Sequence, residues 1–233
     1  MNHLHAYVKT RAIRLLFVPT FVVFSLIAEN GGEAGNVWAV REAGTSDTLV
    51  LESFRHPDEE GFPQGWQGQT STITAKKMYT IVEEDGAVFL RAQGANQRVY
   101  TRRIKWNPHT HPILKWRWRA RTIPRNATVV AAVFANLDTD LLLIPVSTKY
   151  VWHATEAEGT VIEGGLFRPA QVVVQSGRAS LGEWVEEEVN AYEDFLRIHQ
   201  RKPALQAWGI SLLAGPGVEI DFGPIEVQAA TTR

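Results

Sequence analysis

His109 and His111 stand two residues apart, between Pro108 and Pro112. Two imidazoles at that spacing can ligate a metal ion when a third donor joins them. No third donor is marked by spacing, and a polar loop is the leading reading of the pair. His153 follows Trp152 at the end of an apolar segment. An imidazole titrates near neutrality and can serve there as a general base, or simply be a surface or capped histidine. Glycoside hydrolysis needs two carboxylates facing one bond. The pairs on offer are Asp138 with Asp140, Glu83 with Glu84, and Glu183 with Glu187, and none is set apart from solvated charge. Ser176 and Ser180 lie in QSGRASLG, which is not the nucleophile elbow G-x-S-x-G. No phosphate-binding loop, dinucleotide fingerprint or H-E-x-x-H motif occurs. Asn126-Ala127-Thr128 is a sequon that matters only in a eukaryotic secretory route. No catalytic residue is assigned, and no metal or cofactor is expected.

Binding chemistry is better represented. The chain has eight tryptophans, and the apolar face of a sugar ring stacks on exposed indoles. Trp66, just after the turn Gly61–Gly65 (GFPQG), is the first candidate platform and Trp152 the second. Trp106, Trp116, Trp118, Trp184 and Trp208 lie in core-like patterns. In Ile113–Arg121, Leu114, Trp116, Trp118 and Ala120 alternate with Lys115, Arg117, Arg119 and Arg121. On a strand this alternation sends the apolar set to one face and the cations to the other. The cationic stripe is then about 20 Å long. Its partners are either carboxylates on neighbouring strands or an anionic ligand, for which Arg117 and Arg119 are the candidates.

The elements that must hold these residues are mostly strands. Gly and Pro divide the chain into short segments rich in β-branched and aromatic residues. The expected strands are Thr48–Phe54, Tyr79–Glu83, Val88–Ala92, Val99–Ile104, Ile113–Arg121, Val129–Leu137, Lys149–Trp152, Gln171–Ser176, Trp208–Leu213 and Glu219–Val227. Within Glu186–His199, apolar side chains recur with helical spacing, acids precede bases, and Pro203 follows. The pattern predicts an all-β sandwich, antiparallel, with one short amphipathic helix near 186–199.

With 233 residues, 45% hydrophobic and 21% charged, the chain has ordinary globular values. A net charge of −1 argues against nucleic acid as a partner. The absence of cysteine excludes disulfides, thiol catalysis and cysteine-ligated zinc. Lys9, Arg11 and Arg14 precede the apolar run from Leu15 to Ala28. That run is shorter than the roughly 20 residues that span a bilayer, and small residues follow it. The pattern predicts a signal peptide over 1–34, an N-terminal extension over 35–47 and one sandwich domain over 48–233. The expected location is periplasmic or secreted, with no stable membrane span after cleavage. An uncleaved N-terminal anchor is the alternative.

The runs RRIKWNPHTHPILKWRWRA (102–120), STKYVW (147–152), VVVQSG (172–177), GEWVEEEVNAYEDF (182–195) and DFGPIEV (221–227) resemble the bacterial family called domain of unknown function 3047. The resemblance runs from about Phe54 to Val227. It implies export and a jelly-roll-like sandwich, and brings no established activity. Two departures stand out. Arg125, Asn126 and Ala127 replace an acidic pair, and Ala214–Gly217 replace an Asp-rich stretch, so a metal or catalytic property resting on those acids would be lost here. Asp221 matches the closing motif but makes no site alone. The leading expectation is a non-catalytic module for a carbohydrate or envelope glycan, through Trp66, Trp152, His153, Arg117 and Arg119. A polysaccharide-active enzyme and a structural envelope protein are the alternatives. Oligomeric state is not legible.

Overall fold

A computed structural model describes residues 48–95, 97–140, 144–165 and 168–230. The expected leader (1–34) and extension (35–47) lie outside the described residues. In chain order the elements begin with β1 (Thr48–Glu52), β2 (Trp66–Gly68), α1 (Thr72–Lys76), β3 (Tyr79–Glu84), β4 (Ala87–Gln93) and β5 (Val99–Thr101). Next come β6 (Ile113–Thr122), β7 (Val129–Thr139), β8 (Pro145–His153), β9 (Val161–Ile162) and β10 (Ala170–Ser176). The last are β11 (Val185–Asn190), α2 (Ala191–His199), β12 (Gly209–Ala214) and β13 (Glu219–Gln228).

The strands form two sheets packed as an all-β sandwich. One sheet runs β11-β6-β13-β4-β3, with β1 also on β13; the other runs β2-β5-β12-β7-β8-β10-β9. The pairs are antiparallel except β8 with β10, which are parallel. β13 is the keel of the first sheet. β6 lies along one side of it, while β4 takes its first half and β1 its second half on the other side.

Alternation on β6 behaves as the sequence predicts. Leu114, Trp116, Trp118 and Ala120 are buried, and the cations between them are half-buried on the opposite face. The indoles of Trp116 and Trp118 cross the sandwich to meet Tyr150 and Trp152 of β8, at ring separations of 5.7 and 5.8 Å. Tilted aromatic pairs of this kind each add about 0.5–1.5 kcal/mol beyond their buried area. Among the described residues, no helix is long and apolar enough to cross a membrane.

The helix near 186–199 is about two thirds as long as expected. Its first part is strand β11, and only Ala191–His199 is helical. Val185 and Val189 are four apart, which suits both periods. What decides for the strand is β6. Glu186 lies opposite Arg117, and Glu188 opposite Lys115, whose Nζ is 2.9 Å from Glu188. Glu187 then points inward, where it accepts a hydrogen bond from Trp118 Nε1 at 3.3 Å. Asn190 ends the strand and caps the helix, its Oδ1 accepting the Glu193 N–H at 3.0 Å. The sequence reading also passed over three short elements, β2, β9 and α1. Ser71 caps α1, its Oγ accepting the Thr74 N–H at 3.2 Å.

Candidate functional site

The cationic stripe on β6 is largely an ion-paired surface. Asp221 of β13, fully buried, gathers three arginines. Its Oδ1 accepts from Arg91 Nε at 2.8 Å, and its Oδ2 from Arg119 Nη2 and Arg121 Nε, each at 2.8 Å. Glu84 of β3 lies over the same group, accepting from Arg119 Nη2 at 2.9 Å and Arg121 Nη2 at 2.6 Å. Glu219 comes within 3.9 Å of Arg91. Three guanidinium groups thus face three carboxylates. Aromatic rings line the stripe. Arg117 and Arg119 stack over Trp184 at 4.5 and 4.7 Å, and Arg119 and Arg91 lie over Phe89 at 5.4 and 5.3 Å.

The closing run DFGPIEV follows from this geometry. Asp221 centres the arginines. A Cβ on Gly223 would lie 2.6 Å from Arg117 Cγ, so the side chain of Arg117 can cross β13 only over glycine. Pro224 sits where the β6–β13 register is interrupted, between Phe222 and Ile225. Beside that interruption a cavity of about 330 Å³ is bordered by Lys115, Arg117, Glu186 and Glu226. Carboxylates and cations alternate around it.

Hydrogen bonds from Arg121 and then Arg119 hold the Glu84 carboxyl down at about 2, from an ordinary 4.5. Between these values the unfolded chain binds the proton and the folded chain does not, so stability falls as pH falls. The contribution is complete above about pH 4.5 and gone below about pH 2. Glu84→Gln is expected to flatten the acid limb of a melting-temperature profile measured between pH 5 and pH 2. An acid limb of unchanged steepness would count against the pairing.

The remaining sequence candidates do not converge on this face. Trp66 is 4% exposed, its ring 5.9 Å from Phe54 and its Nε1 donating to Glu52 at 2.7 Å. Trp152 is fully buried, donating to the Gly177 carbonyl at 2.9 Å. Neither indole offers a face to a sugar, because each closes the core beneath a turn. His153 is buried with Nδ1 accepting the Glu156 N–H at 2.8 Å, which is the cap of a turn. His109 Nε2 meets the Pro203 carbonyl at 2.9 Å, while His111 Nδ1 meets Thr110 Oγ1 at 2.9 Å, so the two rings turn to different partners. Asp138 pairs with Arg201 at 3.0 Å, and Asp140 accepts the Ile144 N–H at 2.8 Å.

A different surface collects polar groups that pair with neutral partners. On the outer face of the seven-stranded sheet, strand register sets one row across six strands: Gln67, Tyr100, Ser211, Phe134, Lys149 and Gln171. Each of these side chains alternates with a core residue of its strand. Tyr100 donates to Gln67 Oε1 at 2.8 Å, and Lys149 donates to Gln171 Oε1 at 3.0 Å. One step along, Ser147 donates to Asn136 at 2.6 Å and Asn136 to Ser211 at 3.0 Å. Arg98 lies over the Phe134 ring at 4.8 Å and Lys149 at 5.6 Å. Arg102 stacks between Trp208 at 4.5 Å and Tyr100 at 5.7 Å.

Beside this row opens a cavity of about 670 Å³, bordered by Gln69, Arg98, Ser147, Arg168 and His199. Among the described residues, the buried Arg98 Nε and His199 Nε2 on its walls have no hydrogen-bond partner. Burial, then the charge of Arg201, pushes the His199 imidazole below its ordinary value, so the ring is neutral at pH 7.

Residues 143–214 match the family described as protein of unknown function (DUF3047). No curated protein matches the chain. Among solved structures, the chain is similar to a cleaved adhesin domain of Lys-gingipain from Porphyromonas gingivalis, at 12% identity and TM-score 0.39, covering 78% of this chain and 99% of that one. It is also similar to the CBM22-1 xylan-binding domain from Paenibacillus barcinonensis, at 9% identity and TM-score 0.39, covering 81% and 97%. A third is the mannan-recognising module TmCBM27, at 10% identity and TM-score 0.37, covering 79% and 99%.

The DUF3047 stretch supplies Ser147, Lys149, Arg168, Gln171, His199 and Ser211 of the outer face. Arg98, Tyr100 and Phe134 come from outside it. Sequence reasoning passed over all of these. The one signal available was STKYVW, where Ser147 and Lys149 alternate with the buried Thr148, Tyr150 and Trp152.

Proposed function

We propose that this chain is a non-catalytic binding module for a glycan of the cell envelope. It is exported by its leader and takes the sugar on the outer face of the seven-stranded sheet. The observation that supports this reading is the row Gln67–Tyr100–Ser211–Phe134–Lys149–Gln171 beside the 670 Å³ cavity. Amides, hydroxyls and cations there offer directional hydrogen bonds, and the half-exposed rings of Tyr100 and Trp208 offer apolar faces. A hydroxylated ring needs both. A cavity of that size admits a few sugar units. Fixed strand positions pre-order the groups and so reduce the entropy lost on binding.

Titration calorimetry against a panel of neutral and acidic oligosaccharides tests the reading. A ligand is expected whose affinity falls about tenfold in Tyr100→Ala, as for an aromatic anchor. Trp66→Ala should lower stability without changing the affinity of the folded protein. Failure of every oligosaccharide to bind would sink the glycan reading.

A further inference from the structure

The charges on the outer face are unlike those of the Asp221 network. Arg98 and Lys149 flank one phenyl ring, at 4.8 and 5.6 Å from its centre. Among the described residues neither has a carboxylate within ion-pair distance. Lys149 finds only the neutral Gln171 oxygen. The Arg98 Nε–H is buried and unpartnered. Asp140, the acid on the cavity wall, turns Oδ1 to the Ile144 amide. Arg168, on the same wall, adds a third cation.

Two like charges in a half-buried setting are costly to hold together. Burial lowers both groups from their ordinary values, and the charge of Arg98 lowers Lys149 further. The face therefore stores unfavourable electrostatic energy that an anion would relieve. A guanidinium edge presents parallel N–H donors that fit a carboxylate in a two-point contact, and the ammonium supplies a point charge beside it. Gln69, exposed on the cavity wall, gives an amide partner for the rest of a sugar ring.

We propose that Arg98, on the cavity wall, and Lys149, over the same Phe134 ring beside it, form an anion-recognition point whose ligand is the carboxylate of a uronic-acid-containing glycan. This rests on the glycan reading above and names its ligand class. The test uses three probes on the described domain's full chain: an oligouronate, its carboxyl-reduced neutral counterpart, and inorganic sulfate as the anion alone. The oligouronate is expected to bind at least about tenfold more tightly than the neutral oligomer, the scale of one charge-assisted contact. Arg98→Gln and Lys149→Gln should each remove at least about tenfold of oligouronate affinity. Lys149→Arg, which keeps the charge, should stay close to wild type. Sulfate should raise the melting temperature of the wild type above that in chloride at equal ionic strength, and not that of Arg98→Gln. Equal binding of the two oligomers, with no effect of sulfate, would overturn the anion point and leave the glycan reading standing. Binding of neither oligomer, with sulfate still stabilising only the wild type, would overturn the glycan reading and keep the anion point.

Discussion

Replacing Asp221 with alanine should lower the melting temperature by roughly 6–20 °C, the equivalent of about 3–5 kcal/mol in a domain of this size. The carboxylate is fully buried and each of its oxygens accepts from at least one guanidinium. Removing it leaves Arg91, Arg119 and Arg121 crowded on one sheet face with two carboxylates in place of three. Their side chains keep 16–30% exposure, so water softens the repulsion and the lower half of the range is the better expectation. Asp221→Asn keeps the shape and part of the hydrogen bonding, and should cost less. Thermal melts at pH 7 of the two variants beside wild type check this. An alanine variant within 2 °C of wild type, about the size of a surface substitution, would mean that Glu84, Glu219 and the aromatic neighbours hold the stripe without Asp221.

The second large effect is expected at Trp152. Alanine there removes a fully buried indole from its contact with Trp118 at 5.8 Å and strands the Gly177 carbonyl. Truncation of a core aromatic costs about 3–5 kcal/mol. Trp152→Phe keeps most of the packing and should recover more than half of that loss. Chemical denaturation gives the stability, and glycan titration of the still-folded fraction gives the affinity, which is expected to be unchanged. Loss of affinity with full stability would return Trp152 to the ligand-binding set.

Much of the fold can be read from the residues. Where polar and apolar side chains alternate strictly, as on β6, the period-two rule leaves no alternative. It was misleading at 185–190, where Val185 and Val189 satisfy two periods at once and the decision rests with cations on another strand. The stripe itself was legible as charge in search of partners, yet those partners lie far along the chain. Asp221 is 102 residues from Arg119, and Glu84 is 35. The outer-face row was illegible for the same reason. Each strand contributes one member, and only the register of six strands sets Arg98, Phe134 and Lys149 together. Tryptophan count is a poor sign of a ligand platform here, because a residue that large is drawn to the core whether or not a ligand exists.

The central place of β13 has a kinetic corollary. It is the last strand described, yet it sits between β6 on one side and β1 and β4 on the other. Closing that arrangement joins Thr48 to Gln228, so the loop-closure entropy of almost the whole domain falls due in a late pairing. Such high contact order predicts refolding on the slow side, milliseconds to seconds or longer. Until residues 219–228 pair, the β6–β11 and β3–β4 pairs and β1 remain separate parts of the first sheet.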